Sequence, residues 1–200
     1  MPDEALPPDD ALIAATRDWV RRAVIGLNLC PFAKAVEQRG QVRYVVSHAR
    51  HEEDLLADLR RELAHLAATP AEVTDDTLLI HPEVLQEFFA FQNFLARADA
   101  AVRKAGLEGV IQIASFHPDY QFADTEPDDV TNCTNRAPYP TLHLLREASI
   151  AEAVKSDAAA EGIYERNQAT MRTLGKAGWE KLRLGEQPAG LASSANEPSP

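Results

Sequence analysis

Between residues 42 and 116 the chain switches repeatedly between two hydrophobic periods, and this constrains its fold more than any other feature. Val42–Ser47 (VRYVVS), Thr77–Ile80 (TLLI) and Val110–Phe116 (VIQIASF) are short runs rich in β-branched residues, as strands are. Between the first two, Glu52–Ala68 sets Leu55, Leu59, Leu63 and Leu66 three or four residues apart, which puts all four on one helical face. Phe88–Ala105 is a second helical segment, bounded by Gly106. Strand–helix–strand–helix–strand implies right-handed crossovers and parallel strands. The expected fold is α/β, a layered single domain with a small, mainly parallel sheet flanked by helices. Its strands lie near 42–47, 77–80 and 110–116, with 141–145 (TLHLL) a fourth strand or the start of a helix. A ferredoxin-like α+β sandwich is the alternative.

An opening helix is capped by Asp9 or Asp10, carries Leu12, Ala15, Trp19, Ala23 and Leu27 inward, and stops near Cys30-Pro31, because a residue before proline avoids the α region. A final helix spans 161–182 with Ile163, Met171, Leu174 and Trp179, interrupted by Gly175 and Gly178. Residues 1–9 form a flexible acidic arm, 10–184 one globular domain, and 185–200 (GEQPAGLASSANEPSP) a tail of disordered composition. A net charge of −11 argues against nucleic acid or anionic lipid as a partner, since those contacts need clustered Lys and Arg. No apolar run is long enough to span a bilayer, the N-terminus lacks a signal-peptide pattern, and the chain has only two cysteines. The expected location is the cytoplasm.

The strands are followed by histidines: VVS-His48, LLI-His81 and ASF-His117. Ligands of open parallel sheets bind beyond the carboxyl ends of strands. Histidines at one height on neighbouring strands suit a divalent metal or an acid–base pair. His81, His117 and Asp119 are therefore candidate catalytic residues, and with His48 candidate metal ligands. The plainer reading is a half-exposed histidine bonded to a turn. It fits His48, which precedes the charged ARHEED run. No HExxH or CxxC signature accompanies them.

The stretch from His117 to Pro140 has no regular period and carries Tyr120, Phe122 and Tyr139. Loops this long are functional or disordered, and a disordered one tends to lack aromatics. Arg136, ahead of Ala-Pro-Tyr-Pro, is placed to hold a carboxylate or phosphate, or else to pair with a neighbouring acid. Asn132, Asn135, His143 and Arg146 join it as candidate substrate-binding residues. Cys30 in LNLCPF is either an N-cap thiol with a lowered pKa, and so a nucleophile, or a buried unreactive cysteine. Together these residues suggest an enzyme, a hydrolase or transferase acting on a small anionic molecule. The alternative is a non-catalytic ligand- or protein-binding regulatory module. A thiol sensor at Cys30 is a third reading. Phe88, Phe89, Phe91 and Phe94 give one helix more aromatic faces than a single core stripe needs. That points to a homodimer or to a helix buried on both sides.

GLNLCPFA (26–33), LLIHP (78–82), QIASFHPDYQFADT (112–125) and NCTNRAPYPTLHLLREASI (132–150) resemble a family of uncharacterised bacterial proteins known as a domain of unknown function. The resemblance runs from about Trp19 to the final helix. It implies a compact domain and carries over no activity and no catalytic residue.

Overall fold

The computed structural model describes residues 6–156 and 162–185. Most of the expected tail and part of the expected arm lie outside the described residues. The chain is an α/β domain in which a four-stranded sheet carries helices on both faces. Helix α1 (Asp9–Trp19) leads through the turn described below to α2 (Ala33–Gln38) and strand β1 (Val42–Val46). Then come α3 (Glu52–Ala68), β2 (Asp76–Ile80), α4 (Phe88–Lys104) and β3 (Ile111–Phe116). After a long loop, β4 (Thr141–Arg146) runs directly into α5 (Glu147–Ser156), and α6 (Ile163–Glu180) closes the fold.

The strand order is β1-β2-β4-β3. β1 and β2 pair in parallel, while β4 is antiparallel to both β2 and β3. The sheet is therefore mixed, and the expectation of a mainly parallel sheet is corrected. The helices α3 and α4 are the crossovers that keep β1, β2 and β3 in one direction. No helical crossover separates β3 from β4. The chain returns through the 117–140 loop, and β4 fills the slot between β2 and β3, antiparallel to both. The element order βαβαββ also differs from the βαββαβ of the ferredoxin-like alternative.

The sheet's two faces follow from period-two alternation. Leu79, Ile111, Leu142 and Leu144 meet α3 and α4, where Leu55, Leu59, Leu63, Leu66, Phe91 and Phe94 are fully buried or nearly so. Burying each such side chain stabilises the fold by roughly 1.5–3 kcal/mol. Leu78, Val42, Tyr44 and Phe116 face the other way, onto Trp19, Val20 and Ala23 of the first helix. Phe88, Phe91 and Phe94 are buried within the chain itself and only Phe89 is exposed, so burial inside one domain accounts for three of the four phenylalanines. The Glu87 carboxylate fixes the start of α4 by accepting from the N–H groups of Phe89 and Ala90. Helix α5, which shows no periodic cue in the sequence, begins at Glu147, directly after the last residue of β4. Gly175 breaks the helical path inside α6 with φ 65 and ψ 170.

The first helix ends in an unusual way that positions Cys30. Val20–Ile25 continues it as a π-helix, and Gly26 N–H donates to Arg21 O at 3.1 Å. A Cβ on Gly26 would lie 2.2 Å from Arg22 O, so glycine alone fits. Asn28 then takes a left-handed conformation (φ 54), which asparagine tolerates. Leu29 and Cys30 N–H groups both turn back to Val24 O. The GLNLC sequence is thus a tight exit turn delivering Cys30 against the sheet.

Candidate functional site

The strands that end in His81 and His117 are not adjacent, although both rings pack on Phe91. Ile80 and Phe116 both pair with Thr141, from opposite sides of β4, so His81 and His117 stand two strand spacings apart, roughly 10 Å along the sheet. Both are fully buried. The Phe91 ring centroid lies 5.5 Å from that of His81 and 5.3 Å from that of His117. His81 Nδ1–H donates to Val84 O at 3.0 Å, and its Nε2 is buried without a hydrogen-bond partner. Burial pushes its pKa down to about 4, so the ring is neutral. His117 Nδ1 accepts from Asp119 N–H at 3.0 Å. Its Nε2 therefore carries the proton, which it donates to Leu85 O at 3.2 Å. Burial holds this imidazole below its usual pKa as well. Together the two rings tie down the 81–86 loop, in which Leu85 sits at φ 58. Asp119 is exposed. His48 lies at the surface, 3.0 Å from Asp9 Oδ1 and 3.7 Å from Glu83 Oε2. Among the described residues no group of three His, Cys, Asp or Glu side chains is placed to hold a metal ion.

The long loop is knotted by its own polar groups. Asn132 is fully buried. Its Oδ1 accepts from Phe122 N–H (3.0 Å) and Thr125 Oγ1 (2.7 Å), and its Nδ2 donates to Glu126 O (2.8 Å). Arg136 Nε donates to Tyr120 O and Nη2 to Pro127 O, so the guanidinium expected to hold an anion is engaged with the loop's main chain. Asn135 Nδ2 donates to Ser115 O at 3.3 Å. Arg146 donates to the carbonyls of Leu66, Thr69 and Thr74, capping the C-terminal end of α3.

A large cavity lies elsewhere. On the sheet face opposite α3 and α4, a pocket of about 920 Å³ opens over Leu78, Ala114 and His143, walled by Trp19, Val20 and Phe32. His143 and Leu78 are register partners, as are His143 and Ala114, so the strand alternative for TLHLL holds and His143 looks into this pocket. Asp76 reaches the same face because it precedes Leu78 by two residues. His143 Nε2 lies 3.4 Å from Asp76 Oδ2, longer than the roughly 2.7–3.2 Å of a well-made hydrogen bond. Asp76 is only 7% exposed, and its Oδ1 has no hydrogen-bond partner. Cys30 lines the same cavity. Burial pushes its thiol up, main-chain N–H groups of Phe32 and Ala33 pull it down less, and the Asp76 carboxylate adds to the rise. The lowered pKa of an N-cap thiol is not what the turn produces.

Of the residues singled out in the sequence, Cys30, His143 and Arg146 line this pocket, whereas His48, His81, His117, Asp119, Asn132, Asn135 and Arg136 do not. Asp76 was missed. Its signal was an aspartate that keeps the buried period of Leu78 at the start of a strand whose last three residues are apolar. No curated protein and no solved structure matches the chain. The model of the family described as "Protein of unknown function (DUF1415)" matches residues 11–181, and the chain belongs to that family.

Proposed function

We propose that the chain is an enzyme acting on a small organic molecule bound in the sheet-face pocket, with His143 as its acid–base group and Asp76 as the residue positioning it. One observation carries this reading: a histidine, a buried carboxylate with an unpartnered oxygen and a thiol line the same cavity of about 920 Å³. A large, mostly apolar pocket with a few convergent polar groups is the usual form of a small-molecule site. A carboxylate beside an imidazole fixes its orientation and stabilises the imidazolium formed when it takes a proton. Cys30 stands in reach of the same ligand, with its proton held at neutral pH by burial.

The raised Cys30 thiol favours a second reading, in which the pocket binds and does not turn over. One experiment separates the two. A metabolite extract is incubated with the full chain or with His143→Gln and followed by mass spectrometry. The enzyme reading expects a compound consumed by the wild type and spared by the variant. A compound bound by both proteins and consumed by neither leaves the binding module.

A further inference from the structure

Resting on the reading of this pocket as the ligand site, we infer that its ligand is an organic cation: an apolar body carrying an amine, amidine or guanidine whose nitrogen meets Asp76 Oδ1. Among the described residues the lining has four carboxylates (Glu72, Asp75, Asp76, Glu152) and two arginines (Arg39, Arg146). Arg146 has its donors on three main-chain carbonyls, and Arg39 Nε donates to Gln41 Oε1 at 2.6 Å from an exposed position. An anion entering the pocket would meet four carboxylates against two guanidinium groups, one of them committed to main-chain carbonyls. Asp75 and Asp76 are 9% and 7% exposed. Asp75 Oδ1 is satisfied by Ser149 Oγ, which leaves Asp76 Oδ1 as the buried acceptor without a donor. A charge-assisted bond from a cationic nitrogen supplies what that oxygen lacks. Trp19, Phe32 and Phe116 are among the lining residues, and aromatic rings attract an organic cation and offer little to a hydrated metal ion.

The test uses the ¹⁵N-labelled full chain and three probes of one shape: benzamidine, benzoate and benzyl alcohol. Amide shifts of Cys30, Gln112, Ala114 and His143 report the pocket, with Ala114→Phe as the filled-pocket control. Benzamidine is expected to shift these amides saturably, more tightly than the other two. Asp76→Asn weakens it roughly tenfold or more, and Ala114→Phe abolishes its binding. Equal or tighter binding of benzoate at the same amides overturns the cation inference and leaves the pocket standing. So does a shift produced by calcium chloride alone. Saturable shifts confined to other regions, or none with any probe, overturn the pocket reading as well. Should Asp76→Asn not fold, the wild-type order of the probes decides by itself.

Discussion

His143 Nε2 lies 3.4 Å from Asp76 Oδ2 across the β4–β2 ladder, while Asp76 Oδ1 has no donor. A buried carboxylate oxygen left without a partner costs on the order of 1–3 kcal/mol, and folding alone has no need of it.

Asp76→Asn therefore leaves the melting temperature unchanged or raises it by a few degrees, a gain of about 1 kcal/mol, while ligand binding falls. Calorimetry checks it. A melting temperature lowered by many degrees would mark Asp76 as a structural acid.

Cys30 is expected to react more slowly with iodoacetamide at pH 8 than a free thiol does, because its burial favours the protonated form. Peptide mass spectrometry separates half-buried Cys30 from Cys133, which is buried. Labelling faster than free cysteine would show an activated nucleophile and reverse this account of the thiol.

His81 makes stability depend on pH. Its folded pKa of about 4 lies below the 6.5 of an ordinary histidine, so the unfolded state binds the proton more readily. The stabilisation is complete above about pH 6.5 and is lost as the pH falls toward 4, on the order of 3 kcal/mol over the window. Urea titrations at pH 7 and pH 5 should show the fall, and His81→Phe should flatten it. An unchanged slope in the variant assigns the acid sensitivity to other groups.

Asn132→Ala removes a side chain with three hydrogen bonds from a fully buried site and should cost about 2–3 kcal/mol. Arg136→Ala should likewise act on stability, since both bonds of its guanidinium go to carbonyls of its own loop. Denaturant titration measures both. Loss of ligand binding at full stability in Arg136→Ala would restore it as an anion holder.

The elements with strong periods were legible in the sequence. The four leucines of α3 and the apolar runs of β1, β2 and β3 show their structure through spacing alone. The direction of β4 was not legible, because TLHLL carries the same alternation in either orientation and pairing is decided by how the 117–140 loop returns. That single insertion puts β4 between the strands that end in His81 and His117, and both rings pack on Phe91. The histidines bond to carbonyls of the 81–86 loop, His81 locally to Val84 and His117 to Leu85 in a contact between segments that no local pattern announces. His143 could be placed only once TLHLL was known to be a strand. Asp76 was hidden because its partner lies some seventy residues away, on a strand whose register the sequence leaves open.

The most direct test of the central claim, that the sheet-face pocket is the working site, is to see what the protein retains from a metabolite extract. Wild type and Ala114→Phe are each passed through gel filtration with the extract, denatured, and their bound small molecules identified by mass spectrometry. The expected result is a compound carried by the wild type and absent from Ala114→Phe at equal folded protein. The same compound retained by both would place the site elsewhere on the molecule and contradict it.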